Sequence, residues 1–224
     1  MSFQCHQLSD DHLQLAILRL GDVCVSVQDK MERFLTTAAL EKRPGVEATF
    51  AWLRRRGVRL CLLSDYGRRD TLLLLHRLGW TVDEDGTVQE IITKQKRLDD
   101  PVRLAIEHAG LSDPNLSFTV FDTPRLLQLS NAARVHFNLA LCNGRHPYST
   151  LAACPHHAML DSLLQLPDFI LQHLPPPDRG AGPQDATPSE QEQPKWAKRG
   201  RSSGRSGLLT GLPRLRLPGR LSGH

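Results

Sequence analysis

Aromatic residues are scarce in this sequence and make up 5% of its 224 residues. Proteins that bind single-stranded nucleic acid stack bases on aromatic side chains, so the scarcity argues against that class of function. An apolar run of membrane-spanning length is also missing. The opening MSFQCHQLSDDH lacks the basic region and apolar stretch of a secretory signal. We therefore expect a soluble, cytoplasmic protein without a membrane partner.

The cysteines do not form a recognisable framework. There are five of them, an odd number, and no two have the Cys-x-x-Cys spacing typical of redox or zinc sites. Cys24 and Cys61 lie within apolar stretches, where a free thiol behaves as a small hydrophobic side chain. This usage favours a reducing, intracellular compartment.

The formal charge of +4 is unevenly distributed. Residues 175–224 are rich in Pro and Gly and contain nine basic against four acidic residues, so the rest of the chain is close to neutral. Such a composition cannot bury enough apolar surface to fold. We predict an N-terminal segment at 1–12, a folded core at 13–174 and a disordered basic tail at 175–224. A solvated extension is the preferred interpretation of the tail, and contact with nucleic acid or another polyanion is the alternative.

Short apolar runs alternate with amphipathic stretches along the core. Strands are predicted at 13–25, 58–63, 88–92, 117–121 and 135–141, and helices at 27–41, 45–56, 68–78, 100–110, 124–133 and 161–174. This alternation predicts an α/β fold with a mostly parallel sheet flanked by helices. Ligands of such sheets bind at the carboxyl ends of the strands. The residues to inspect are therefore those at 19–22, 64–65, 122–123 and 143–144.

Three stretches of the core carry a more specific signal. In chain order they are RPGVEATFAWLRRRGVRLCLLSDYGRRDTLLLLHRLGW, KRLDDPVRLAIEHAGL and FTVFDTPRLLQLSNAARVHFNLALCNG. They resemble the second, third and fourth motifs of the haloacid dehalogenase superfamily, nearest its phosphonatase-like branch. The resemblance implies a Rossmann-like core and hydrolysis of a phosphoric ester or C–P bond. It further implies that Ser64 and Lys96 bind the phosphoryl group and that Asp122 helps to hold Mg²⁺.

The first motif departs from that family. Its pattern is Asp-x-Asp-Gly-Thr, in which the first Asp is the nucleophile and the second the general acid/base. The matching stretch LAILRLGDVCV places Arg19 and Gly21 at these two positions, and Asp22 at the glycine. Arginine stays protonated and offers no lone pair, and glycine has no side chain. We therefore predict a catalytically impaired, phosphatase-like protein.

The metal site is expected to have changed too. In the fourth motif Asp122 is kept, but Phe121 replaces a glycine and Leu126 replaces the second acid. Mg²⁺ requires several oxygen ligands, so the family's metal is expected to be lost here. We predict that Arg19 takes its place and pairs with Asp122, which would otherwise be an uncompensated charge.

The helical cap that usually lies between the first two motifs of this branch is expected to be reduced or absent. Only two helices' worth of chain separate Arg19 from Ser64. A cap excludes water and selects the substrate, so the family's substrate choice does not carry over.

Three functions remain open at this stage. The first is an impaired family member that binds a phosphorylated ligand or another protein. The second is an active Mg²⁺-dependent phosphatase or phosphonatase that uses another carboxylate, for which Asp22 and Asp65 are the candidates, although Asp65 is expected to point away from the site. The third is a non-catalytic interaction scaffold, in which Phe121 and Leu126 would fill the centre.

Overall fold

The computed structural model describes residues 13–26, 39–94, 100–143 and 145–174. The predicted N-terminal segment and basic tail, together with Lys96, lie outside these residues. Most of the predicted helix at 27–41 does as well, although its last residue belongs to a strand, Glu41–Lys42. Within the described residues no helix is long and apolar enough to cross a membrane.

A six-stranded parallel sheet forms the centre of the molecule. Its strands are β1 (Leu15–Arg19), β4 (Arg59–Ser64), β5 (Glu90–Thr93), β6 (Ser117–Phe121), β7 (Phe137–Leu141) and β8 (Ala158–Leu160). Two shorter strands, β2 (Val25–Ser26) and β3 (Glu41–Lys42), pair antiparallel beside it. The predicted α/β class with a mostly parallel sheet is confirmed.

The order of the strands places β1 in the middle. The sheet reads β5-β4-β1-β6-β7-β8, so the chain first builds outward from β1 on one side and then returns to build on the other. The crevice at the carboxyl ends of β1 and β6 is therefore the point where the strand order reverses. Ligands of open α/β sheets bind at such switch points.

Helices cover both faces of the sheet. They are α1 (Val46–Arg55), α2 (Arg68–Leu78), α3 (Pro101–His108), α4 (Pro124–Ala133), α5 (Tyr148–Ala152) and α6 (Leu166–His173). One core layer packs the sheet against α1, α2 and α6. The other packs it against α3, α4 and α5. Because both faces are covered, every residue of β1, β6 and β7 is buried.

The predicted strands differ from the observed central sheet in two main respects. The first strand was predicted over 13–25 but ends at Arg19, since the chain turns there and re-enters extended structure only at Val25. The edge strand β8 was not predicted at all. It has three residues, two of them only half-buried, and it is extended through pairing with β7. Neither length nor alternation of such a segment distinguishes it from a loop.

Candidate functional site

A cleft of about 530 Å³ opens at the carboxyl edge of the sheet. Four adjacent strands contribute to it, because parallel strands bring their ends to one edge. Its polar lining comes from Arg19 of β1, Ser64 and Asp65 of β4, Thr93 and Lys94 of β5, Thr123 and Arg125 after β6, and Arg145. Among the positions singled out by the resemblance, Arg19 and Ser64 thus line one cavity.

Arg19 is the centre of this site. Its Nη1 donates to both carboxylate oxygens of Asp122, at 2.9 and 3.1 Å. Its Nε donates to Asp65 at 3.0 Å, and its Nη2 contacts the same carboxylate. The predicted pairing of Arg19 with Asp122 is confirmed, and the expectation that Asp65 points away from the site is wrong.

Because Arg19 and Asp122 are buried, their charges interact strongly. The side chain of Arg19 is only 5% exposed and that of Asp122 is fully buried, whereas Asp65 is 59% exposed. Burial alone would lower the pKa of Arg19, but the charges of Asp122 and Asp65 outweigh it and raise that pKa above its ordinary value. The guanidinium therefore stays charged and fixed between two carboxylates.

A second ion pair extends the cluster. Arg145 contacts the carboxylate of Asp22, which also lies 3.6 Å from Arg19 Nη1. Asn143 joins the two halves, because its Nδ2 donates to the Asp22 carbonyl at 2.8 Å and to Asp122 Oδ2 at 2.9 Å. Three carboxylates and two guanidiniums thus form one hydrogen-bonded network.

The turn after β1 keeps a conformation suited to glycine. Asp22 has a φ of 61°, in the left-handed region, and Gly21 bridges to Val25. Aspartate tolerates this conformation better than most side chains, but glycine adopts it without cost. The resemblance aligns Asp22 with the family's glycine, so the backbone favours the residue type that the family has there.

Ser64 faces the cleft but already has partners. Its hydroxyl lies 2.7 Å from the Thr71 hydroxyl and accepts a hydrogen bond from the Tyr66 N–H at 3.2 Å. The hydroxyl therefore anchors the start of α2. A hydroxyl combines one donor with two acceptor sites, so the Ser64 hydroxyl has one hydrogen-bonding site left for a ligand.

The sequence did not indicate three basic residues of the cleft. Lys94, Arg125 and Arg145 all line it and are exposed. Lys94 directly follows β5, so strand-end position was a usable signal. Arg125 lies in the first turn of α4, and Arg145 lies in the loop after β7, where neither motif nor periodicity marks them.

The two apolar replacements occupy different places. Phe121 is fully buried in the core layer shared with α4, away from the cleft. Leu126 lines the cleft without closing it. The filled centre expected for a ligand-free scaffold is therefore not observed.

The described residues do not fit a Mg²⁺ site. Both oxygens of Asp122 accept hydrogen bonds from Arg19, and one accepts from Asn143 as well. The carboxylates of Asp22 and Asp65 bind guanidinium groups. Within the described ranges no group of three or more His, Cys, Asp or Glu residues could hold a metal ion. A divalent cation would also be repelled by Arg19.

Comparison with known proteins finds solved structures of similar fold. No family model and no curated protein matches the chain. A haloacid dehalogenase-like family hydrolase from Streptococcus pneumoniae is 9% identical with a TM-score of 0.56, and the match covers 70% of this chain and 98% of that one. A HAD family hydrolase from Deinococcus radiodurans, with bound phosphate and sodium, is 15% identical with a TM-score of 0.57, covering 73% and 97%. CbbY from Rhodobacter sphaeroides, in complex with phosphate, is 15% identical with a TM-score of 0.54, covering 69% and 96%.

An α/β sheet with a polar cleft at its topological switch point defines the general class. Within that class, the chain has the fold of the haloacid dehalogenase-like hydrolases.

Proposed function

We propose that this protein is a catalytically impaired relative of the haloacid dehalogenase phosphohydrolases, nearest the phosphonatase-like branch, that binds a phosphorylated ligand without hydrolysing it. The supporting observation is the Arg19 guanidinium, held between Asp122 and Asp65 at the carboxyl end of the central strand. At the position that the resemblance gives to the nucleophile, it provides a fixed positive charge where the family would bind Mg²⁺.

Ligand binding is supported by the open cleft and by its cations. A cavity of about 530 Å³ lies in the range of small-molecule sites, roughly 300–1,000 Å³. Ser64, assigned to the phosphoryl group by the resemblance, lines this cleft together with Lys94. Lys96, the other residue assigned to the phosphoryl group, lies outside the described residues and stays a prediction.

An active phosphatase is the second candidate, because a carboxylate lies at the right place. Asp65 lines the cleft with a half-exposed side chain and could attack a phosphoryl group if it were released from Arg19. Its engagement by two guanidinium nitrogens argues against that chemistry, since a nucleophile needs a free lone pair.

The decisive experiment is turnover of an aryl phosphate with Mg²⁺. We expect no turnover by the wild type, and turnover by the Arg19→Asp, Gly21→Asp variant, which restores the nucleophile and the general acid/base. The matched control is Arg19→Asn, Gly21→Asn, which has the same side-chain shapes without a carboxylate nucleophile. It should remain silent.

Binding is measured separately, by calorimetric titration of the wild type with inorganic phosphate. Binding without turnover supports the proposal. Absence of binding contradicts the part of the proposal that concerns a phosphorylated ligand. Mg²⁺-dependent turnover by the wild type that Asp122→Ala abolishes would overturn the impairment, and would make Asp65 and Asp22 the candidates for the nucleophile.

A further inference from the structure

Two leucine side chains in and just before α6 are exposed to solvent. Leu164 is 58% exposed and Leu171 is 51% exposed, whereas Leu166 and Ile170 of the same helix are buried against the sheet. Leu164 lies in the 3₁₀ turn that leads into α6, seven residues before Leu171. Residues at that spacing lie on the same side of a helix. An apolar stripe therefore faces solvent along α6.

The stripe continues onto the neighbouring helix, α1. A Cβ at Gly45, the residue just before α1, would lie 2.7 Å from Cγ of Leu164, so Leu164 rests against the start of that helix. Further along α1, Ala48 is exposed and Trp52 is half-buried. We call the surface formed by Ala48, Trp52, Leu164 and Leu171 the α1–α6 face.

The two helices of this face run in the same direction. α1 leads to the beginning of β4, and α6 starts from the end of β8, so both run opposite to the parallel strands. Trp52 and Leu171 each lie seven residues beyond the contact between Gly45 and Leu164, about 10 Å further along the helices at 1.5 Å per residue. These two large side chains are therefore level with each other, in the middle of the face.

Charges of opposite sign lie at the two ends of the face. Asp168 lies in the first turn of α6, and the sequence contains no Lys or Arg from 146 to 174. Arg55 lies in the last turn of α1 and Arg56 caps it, with its guanidinium 4.6 Å from the centre of the Trp52 ring. All three charged side chains are exposed. The face therefore has an acidic end, an apolar middle and a basic end.

A surface with this order of charges is complementary to a copy of itself. A two-fold axis through the middle of the face, perpendicular to the helices, turns one copy end for end, so that each basic end meets the acidic end of the other copy. A partner with charge of a single sign would match only one end.

From this complementarity we infer that the α1–α6 face binds a second copy of this chain, with the helices of the two copies antiparallel. Trp52 and Leu171 of both copies pack around the two-fold axis, and Arg55 of each copy pairs with Asp168 of the other. These residues do not line the cleft, so the inference does not depend on the proposed function.

Sedimentation velocity of the full-length chain, over a concentration series up to about 200 µM, tests this dimer, because its population rises with concentration. Wild type should dimerise within this range. Leu171→Glu places a charge in the apolar middle of the interface and should raise the dissociation constant at least about tenfold. Leu73→Glu is the matched control, since Leu73 is 42% exposed but lies on α2, outside the face. It should leave the dissociation constant unchanged.

Charge reversal tests the antiparallel arrangement and does not depend on the folding of Leu171→Glu. Arg55→Asp and Asp168→Arg should each weaken the dimer, because each brings like charges together between the copies. The two substitutions combined exchange the charges and should restore most of the wild-type affinity. A wild type that stays monomeric overturns the inference, as does a dimer that Leu171→Glu leaves intact. A double variant no tighter than the single ones would contradict the pairing of Arg55 with Asp168 and thus the antiparallel dimer.

Discussion

At the scale of single residues, Arg19 is the side chain on which the site depends. A buried guanidinium is expensive to desolvate and is tolerated only when carboxylates surround it. Asp122 compensates it from within the core and Asp65 from the solvent side. The two carboxylates therefore contribute unequally, because charges in a buried pair are screened far less than those at the surface.

This inequality predicts different costs for two similar substitutions. Asp122→Ala should lower the free energy of unfolding by roughly 3–5 kcal/mol, since it leaves a buried charge with its main partner removed. Asp65→Ala removes a half-exposed partner and should cost no more than about 1 kcal/mol. Urea denaturation of both variants measures the difference. Equal losses would show that Arg19 depends on its two partners alike.

His136 predicts a pH dependence of stability. Burial and the neighbouring His157 lower its pKa in the folded protein, although Asp113 opposes the shift. The unfolded chain then binds more protons just below the ordinary histidine pKa of about 6.5, so the free energy of unfolding decreases as the pH falls through that value. His136→Gln should flatten this part of the curve. Urea denaturation at a series of pH values measures the curve in both proteins, and an unchanged curve in the variant would contradict the assignment to His136.

At the scale of elements, local sequence signals predicted the bounds of a helix or strand where a Gly, a Pro or a capping residue marks its end. The bounds predicted for the helices at 68–78 and 124–133 and for the strand at 117–121 are those observed. Gly79 ends α2 in a left-handed conformation, and Pro124 begins α4, where its missing N–H does no harm. These residues act through their own backbone, so a sequence pattern reports them directly.

The cap of α3 gives a prediction at this scale. The Asp100 carboxylate accepts hydrogen bonds from the N–H groups of Val102 and Arg103, at 3.1 and 3.0 Å. Asp100→Ala should therefore cost about 1 kcal/mol of unfolding free energy. Thr123 occupies the same position before α4 but makes no side-chain capping bond, so Thr123→Ala is the control and should cost clearly less. Thermal unfolding distinguishes the two, and a reversed order would contradict the capping geometry.

At the scale of the whole molecule, the strand order decides what the cleft contains. Because β1 is central and β6 returns beside it, Arg19 and Asp122 meet although they are 103 residues apart in the chain. The fold of the haloacid dehalogenase-like hydrolases is thereby kept, while the polar contacts at its switch point are ion pairs between protein side chains.

These ion pairs between side chains predict how the stability of the protein responds to Mg²⁺. Millimolar Mg²⁺ should leave the wild-type Tm unchanged at constant ionic strength, because the Asp122 oxygens are already bonded to Arg19. In the Arg19→Asp, Gly21→Asp variant two carboxylates are introduced and the guanidinium of Arg19 is removed. Mg²⁺ should then raise Tm by a few degrees, because it binds to the folded state. Differential scanning calorimetry measures both. A Mg²⁺-dependent rise in the wild type would contradict the proposal that the family's metal site is lost here.

The sequence by itself determined the class of fold, the approximate position of most helices and of most strands of the central sheet, and the identity of the residue that ends the central strand. These follow from local periodicity, capping residues and motif order, all of which are properties of neighbouring residues. Only the tertiary structure decided that Asp65 turns toward Arg19, that Arg145 and Asn143 complete the network, and that Lys94 and Arg125 line the same cleft. Those contacts join residues far apart in the chain, and the direction of a side chain at a strand end depends on neighbours that no local pattern specifies.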